Sequence, residues 1–126
     1  MSEWISRGKV FLSEARENLG EGHYWLACFN AHQAAEFHLK GLLVSLTGTY
    51  TFTHDLVELL HAAESLGLSA PPEVLGAADA LTPHYTMARY PGRTPARYDR
   101  ERAGRCVSYA ERIVEWVEEA LEEGGR

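Results

Sequence analysis

Residues 24–47, YWLACFNAHQAAEFHLKGLLVSLT, form the stretch that decides the fold of this chain of 126 residues. Large apolar side chains recur at every third or fourth position along it, which predicts one long helix from Tyr24 to Thr47. A second stripe on this helix consists of small residues, which let another helix approach closely. These residues are Ala27, Ala31, Ala34 and Gly41. The stretch therefore predicts a helix at the centre of a bundle.

The sequence on either side of this stretch repeats the helical spacing, and the alternation typical of strands is almost absent. Further helices are predicted at about 2–18, 53–66, 71–81 and 99–123, with a short turn after Pro83. Ser2 and Thr53 are expected as N-caps of the first and third helices, and Thr82 as the cap of the short turn. We therefore predict an all-α bundle of about five helices in one domain over residues 1–126.

Half of the positive charge lies in one short segment between Arg89 and Arg105. Six of the 12 Lys and Arg residues fall there, opposed only by Asp99 and Glu101, so the segment carries about +4 and the rest of the chain about −10. Such concentrated charge on an acidic protein favours an anionic partner. The segment predicts contact with a nucleotide, an RNA backbone or an acidic protein surface, against the simpler alternative of a solvated face.

Composition narrows the class and the location of the protein. No run approaches the ~20 apolar residues of a membrane span, and the N-terminus lacks the pattern of a signal peptide, so a cytoplasmic location is expected. Arginine outnumbers lysine ten to two, and asparagine and glutamine are rare, which favours a thermophilic source.

The two cysteines, Cys28 and Cys106, both occupy apolar positions of predicted helices. In a reducing cytoplasm, small buried thiols are the expected state, rather than a disulfide. No CxxC pair occurs, which excludes a zinc finger.

Two histidine–glutamate pairs have the spacing of half a metal site. His32 with Glu36, and His54 with Glu58, each share a helix face, but further ligands would have to come from elsewhere and no HExxH motif occurs. We therefore predict no metal site, and we expect His54 and Asp55 to hydrogen-bond to a neighbouring helix instead.

Three stretches occur in order along the chain: NAHQAAEFHLKGLL at 30–43, THDLVELL at 53–60 and YTMARYPG at 85–92. Their order, spacing and helical context resemble the HEPN domain family, a family of small helical bundles. The pieces that carry the resemblance are Ala35–Glu36 with Lys40 and Leu42–Leu43, then His54–Asp55–Leu56, then Ala88–Arg89–Tyr90–Pro91. The resemblance extends over nearly the whole chain.

The resemblance implies an up-and-down four-helix core with one additional short helix, and a homodimer or higher oligomer. It also implies binding of a nucleotide or RNA. Many prokaryotic members pair with a minimal nucleotidyltransferase in toxin–antitoxin systems, so such a partner is expected here. No further cofactor is implied.

Several members of the family are metal-independent ribonucleases that use an arginine followed, after four to six residues, by a histidine near the C-terminal helices. This sequence departs from that pattern, because no histidine follows His84 and the arginines from Arg89 onward cannot complete the motif. Arg16 and His23 have the spacing, but they lie across the first turn. We predict no catalytic residues and favour a protein without enzyme activity. Metal-independent ribonuclease activity stays a further alternative, in which a tyrosine or a histidine distant in sequence would have to act.

Ligand-binding residues are expected where arginines alternate with tyrosines. The guanidinium group matches phosphate in two-point contact, and a tyrosine ring can stack a base. The candidates are Arg89, Arg93 and Arg97 for phosphate, Tyr85 and Tyr90 for a base, and Lys40 as an additional contact. For Lys40 the alternative is a snorkelling surface lysine. The alternative function is a subunit whose basic loop docks an acidic partner surface.

Overall fold

The computed structural model describes residues 2–92 and 97–124. Its helices are α1 (Glu3–Glu21), α2 (Tyr24–Thr47), α3 (Leu56–Ser65), α4 (Pro72–Leu81), α5 (His84–Met87) and α6 (Arg100–Gly124). No strand occurs in either described range. Five of these elements are helices of ten residues or more and α5 is a single turn, which confirms the predicted all-α bundle.

Helix α2 lies at the centre and packs against α1, α3, α5 and α6, as its two stripes predicted. The predicted small residues on α2 are buried. At Gly41, an added Cβ would lie 2.8 Å from Ile5 Cδ1, and at Gly8 it would lie 2.6 Å from His38 Cε1. The close crossing of α1 and α2 therefore depends on glycine at both positions.

The predicted caps are partly correct. Ser2 Oγ accepts the Ile5 N–H at 3.2 Å and caps α1, as expected. Asp55 caps α3 by accepting the N–H groups of the first turn, so the expectation that Thr53 is the N-cap is wrong by two residues. Thr82 does not cap the turn after Pro83, because its hydroxyl donates to the Ala78 carbonyl at 2.8 Å.

The hydroxyl of Thr82 also accepts the Leu56 N–H at 3.1 Å. This bond ties the end of α4 to the start of α3, and it brings the segment before α3 close to α5. Sequence reasoning missed it because a local cap and a long-range bond use the same hydroxyl.

Cys28 on α2 and Cys106 on α6 form a disulfide, so the expectation of free thiols is wrong. Their Cα atoms are 5.1 Å apart, within the range that a disulfide requires. Helical spacing places both residues on inward faces but does not show that the two positions face each other.

None of the helices in the described ranges has both the length and the apolarity needed to cross a bilayer. The cytoplasmic location, the thermophilic source and the single domain over residues 1–126 stay predictions.

Candidate ligand site at helix α5

Helix α5 positions Tyr85 between two elements of the bundle. Pro83 interrupts the chain after α4, and the four-residue helix that follows places the Tyr85 ring half-buried. The ring stacks on His54, with centroids 3.9 Å apart and an interplanar angle of 12°. It also lies 6.1 Å from the ring of Phe29 and 5.4 Å from that of His32, both on α2.

Arg89 and Tyr90 extend this aromatic surface to the solvent. The Arg89 guanidinium carbon lies 4.2 Å from the centroid of the Tyr85 ring and 4.9 Å from that of Tyr90. Arg89 Nε donates to the Tyr85 carbonyl at 2.9 Å, which fixes the orientation of the guanidinium plane. Both Arg89 and Tyr90 are exposed, Tyr90 at 60%. The structure thus brings three predicted site residues together. The expectation that Tyr85 stacks a base is wrong, because His54 and Arg89 already cover the faces of its ring.

Beneath this surface lies a group of ionisable residues that we call the charged cluster, made of His32, Glu36, Lys40 and His54. The Glu36 carboxylate is buried, with one oxygen 2.9 Å from Lys40 Nζ and both oxygens 3.1 Å from His54 Nδ1. The Lys40 side chain is 7% exposed, so the interpretation as a snorkelling surface lysine is wrong. Its place as a ligand contact stays a prediction, and its observed contact is with Glu36.

His32 and His54 differ in exposure although both contact Glu36. His32 is fully buried, and burial, which outweighs the opposing charge of Glu36, lowers its pKa. The neutral ring can donate from Nε2 to the His54 carbonyl at 2.9 Å, which holds the backbone before α3. The His54 side chain is 51% exposed. His54 therefore presents an imidazole that a buried carboxylate orients, next to Tyr85.

Glu36 and His54 are the site residues that sequence reasoning did not assign. It correctly expected His54 to bond to a neighbouring helix, whereas Asp55 caps its own helix instead. Both Glu36 and His54 lie in the motifs that carry the family resemblance. Their place in those motifs was the available signal, but no spacing rule connects two residues 18 positions apart.

The other arginines of the basic segment do not stack on this surface in the same way. Arg97 is 90% exposed, and its Nε lies 3.7 Å from Asp99 Oδ2. Asp99 caps α6 by accepting the Arg102 N–H at 2.9 Å, and this bond lowers the Asp99 pKa, with smaller contributions from nearby arginines. The start of α6 is therefore occupied by its own carboxylate. Arg93 lies outside the described residues.

Arg16 and His23, which share the spacing of the ribonuclease motif, are each engaged elsewhere. Arg16 Nη2 lies 2.7 Å from Glu111 Oε2 on α6. His23 is the N-cap residue of α2, and its Nδ1 is 3.9 Å from Glu21 Oε1. These contacts give both residues structural partners away from Arg89.

Solved structures of similar proteins have the same fold. The protein TT1696 from Thermus thermophilus is 33% identical, with a TM-score of 0.81 and coverage of 93% of this chain and 94% of that one. An archaeal HEPN homologue, ST0689, is 33% identical, with a TM-score of 0.75 and coverage of 94% and 95%. An HEPN domain protein from Thermotoga maritima is 29% identical, with a TM-score of 0.79 and coverage of 96% and 98%.

A curated relative matches over a shorter stretch. The match to a glycerol-3-phosphate dehydrogenase (NAD(P)+) of Shewanella frigidimarina is 42% identical over 72 residues, which is 55% of this chain. The chain spans about a fifth of the length of that curated relative, 21%, so the likeness is to one part of the dehydrogenase. The HEPN domain model, in contrast, matches residues 1–120. The chain belongs to the HEPN domain family.

Proposed function

We propose that the surface formed by Tyr85, Arg89 and Tyr90 binds the phosphate and the base of a nucleotide or of a nucleic acid. The observation that carries this proposal is the Arg89 guanidinium, exposed and held over the Tyr85 ring at 4.2 Å. Arginine stays charged at any working pH and offers donors that match phosphate oxygens. The ring of Tyr90 supplies an exposed face on which a base can stack.

The orientation of Arg89 supports this assignment. Its Nε–H donates to the Tyr85 carbonyl. No residue in the described part of the chain accepts a hydrogen bond from its terminal nitrogens. A guanidinium that is already fixed loses less side-chain entropy when it binds an anion. Arg97, which is exposed in the segment before α6, and Arg93 are proposed as further phosphate contacts.

Titration of the protein with ATP, GTP and a short single-stranded RNA, at low and at moderate salt, tests the proposal. Arg89→Ala is expected to weaken binding about 10-fold or more, the value of one charge-assisted hydrogen bond. Tyr90→Ala is expected to weaken it about 5-fold or more through lost stacking. Arg7→Ala is the matched control, since Arg7 is an exposed arginine on α1 paired with Glu3. No binding at either salt would overturn the proposal.

The family also leads us to propose a homo-oligomer and a minimal nucleotidyltransferase as partner, in a toxin–antitoxin-like module. Co-expression with a candidate nucleotidyltransferase, followed by size-exclusion chromatography, tests the partner. If charge reversal at Arg97 abolishes the complex and nucleotides have no effect on it, the basic segment docks an acidic surface instead.

A second candidate function is metal-independent RNA cleavage, and one observation favours it. His54 lies beside Tyr85, on which Arg89 also stacks. We infer that in a ribonuclease the segment before α3 would provide the histidine that the C-terminal sequence lacks. A carboxylate that orients one imidazole nitrogen leaves the other available for proton transfer, and a nearby arginine can stabilise charge on phosphate. His54 would act as general acid or base, with Glu36 as its positioning residue.

Incubation of a fluorescently labelled RNA with the protein in the presence of a chelator tests this second function. Cleavage that falls at least about 100-fold in His54→Ala, the usual contribution of a general acid or base, would support it. His61→Ala is the control, because His61 is an exposed histidine on α3. If the wild-type protein cleaves RNA no faster than the His54→Ala variant does, the ribonuclease function is contradicted and binding alone is left as the proposal.

A further inference from the structure

The histidine of α5, His84, faces inward, to a group that we call the sulfur cluster: Cys28, His84 and Cys106. One ligand atom from each residue lies within 4.8 Å of the other two. Cys28 and Cys106 are 0% and 1% exposed, and His84 is 8% exposed. Three different helices, α2, α5 and α6, thus supply two sulfurs and an imidazole to one point in the interior.

Tyr98 orients the ring of His84. The Tyr98 hydroxyl lies 2.6 Å from His84 Nδ1. When Nδ1 carries the ring proton, it donates to Tyr98 Oη, and the lone pair of Nε2 is available to a metal. Metal-bound histidines characteristically use their second nitrogen in such a bond, which fixes both the tautomer and the ring orientation.

The composition of the sulfur cluster also suits a metal ion. Two thiolates would balance the charge of a divalent cation, so the occupied cluster would bury no net charge. Thiolate sulfur and imidazole nitrogen together suit zinc.

We propose that the reduced protein binds a single zinc ion through Cys28, Cys106 and His84, and that zinc and the disulfide are alternative states of the sulfur cluster. Three protein ligands leave a fourth zinc position for water. This inference goes beyond the proposed function and does not depend on it. It also departs from the sequence prediction of no metal site, which considered only pairs within one helix.

The two states of the sulfur cluster interconvert through a reduced dithiol. A phosphine gives two electrons to the disulfide and, with an oxygen atom from water, becomes a phosphine oxide, while the sulfurs of Cys28 and Cys106 take up the two protons of that water. Zinc then displaces both protons as the thiols become thiolates. Reduction is therefore required before zinc can bind, and zinc binding releases two protons for each ion.

Zinc titration against a chromophoric chelator tests the proposal on the whole chain. After reduction with a phosphine and anaerobic desalting, the protein is expected to take up one equivalent of zinc, and the oxidised protein none. His84→Gln is expected to weaken binding about 10-fold or more, and Cys106→Ser to abolish this site. His61→Gln, at an exposed histidine, is expected to bind as wild type does.

A second measurement uses the wild-type chain alone, because substitutions in the core can impair folding. Zinc is expected to slow alkylation of both thiols in the reduced protein about 10-fold or more, since thiolates held by a metal react slowly. Equal zinc uptake by the reduced and oxidised proteins, or alkylation rates that zinc does not change, would overturn the proposal.

Discussion

The charged cluster and the sulfur cluster both adjoin helix α5, but they solve the problem of burying polar atoms in opposite ways. In the charged cluster, a buried carboxylate is balanced by Lys40 and reaches the solvent through His54. In the sulfur cluster, all three members are enclosed, and the histidine is kept neutral. Of two adjacent residues in one short helix, His84 thus lies in the interior. Tyr85 forms, with Arg89 and Tyr90, the proposed binding surface, which we call the ligand surface. The comparison predicts that the sulfur cluster stabilises the fold mainly through its disulfide. The charged cluster is expected to depend on charge compensation between Glu36 and Lys40.

The largest expected change in the free energy of unfolding comes from reducing the disulfide of the sulfur cluster. The disulfide joins residues 78 positions apart, and closing a loop of that length in the unfolded chain stabilises the fold by about 4.5 kcal/mol in the chain-entropy estimate. Reduction with a phosphine, with a metal chelator present, should therefore lower the free energy of unfolding by about this amount. Urea unfolding followed by circular dichroism measures it.

Two controls sharpen this result. Cys106→Ser should unfold at the same urea concentration with and without reductant. Zinc added to the reduced wild type should recover part of the lost stability, because the proposed site would bind zinc more tightly in the folded chain than in the unfolded one. An unfolding midpoint that reductant leaves unchanged in wild type would contradict the stabilising role of the disulfide.

In the charged cluster, Glu36→Gln is expected to lower the free energy of unfolding by about 3 kcal/mol. The reason is that the buried Lys40 would lose its carboxylate partner. One of the two oxygens that face His54 Nδ1 would also become an amide nitrogen, which cannot accept a hydrogen bond. The double variant Glu36→Gln/Lys40→Met should recover a large part of this loss, because it leaves no buried charge.

Urea unfolding of a matched control separates this effect from the loss of any ion pair. Glu3→Gln removes the partner of Arg7 in a pair whose side chains are 76% and 66% exposed. Exposed pairs contribute about 0–1 kcal/mol, so this variant should be nearly as stable as wild type. If Glu36→Gln lowered the free energy of unfolding no more than Glu3→Gln does, the buried charge of Lys40 would not need the Glu36 carboxylate as its partner.

The fold was predictable because its evidence is local. Helix α2 begins and ends at the predicted residues, and Gly48 after it adopts a φ of 81°, a left-handed conformation that suits glycine. The clusters were not predictable, because each depends on contacts between residues far apart in sequence. Periodicity shows which face of a helix is buried, but not which buried faces meet.

The same limit explains the results at the candidate site. Arg89, Tyr85 and Tyr90 are close in sequence, and the structure places them together. His54 reaches Tyr85 only because α3 packs beside α2, with its first N–H bonded to Thr82. Lys40 differs, because its partner Glu36 is only four positions away. Its role was missed because the sequence did not indicate that both residues are buried.

The dependence of stability on pH should distinguish His32, the buried histidine of the charged cluster, from exposed histidines. Its pKa is lowered in the folded state mainly by burial, against the opposing effects of Glu36 and of bonds to Gln33 and the His54 backbone. The unfolded chain therefore takes up the proton first. Stability is complete above about pH 6.5, where neither state binds this proton, and falls as the pH drops toward the lowered folded pKa.

Each histidine whose pKa is lowered in the folded state contributes at most about 1.4 kcal/mol per pH unit to the slope of the free energy of unfolding against pH. His38, which burial also shifts downward in pKa, adds a slope of the same sign. Urea unfolding of the disulfide-bonded protein between pH 7 and pH 5 should show a smaller slope in His32→Gln than in wild type, and an unchanged slope in His61→Gln. Equal slopes in all three proteins would show that His32 is not held neutral.

The smallest effect on stability is expected at the ligand surface, and it separates binding from folding. Arg89 stacks on aromatic rings at the surface, so Arg89→Ala should lower the free energy of unfolding by about 0.5–1 kcal/mol. Arg97→Ala should change it by less than about 0.5 kcal/mol, because the side chain is 90% exposed.

If Arg89→Ala weakens nucleotide binding about 10-fold while both variants unfold nearly as wild type does, the loss is one of contact with phosphate. If the binding loss instead follows the loss of stability across Arg89→Ala and Glu36→Gln, the arginine acts by holding Tyr85 in place, and the ligand surface is an extension of the charged cluster beneath it.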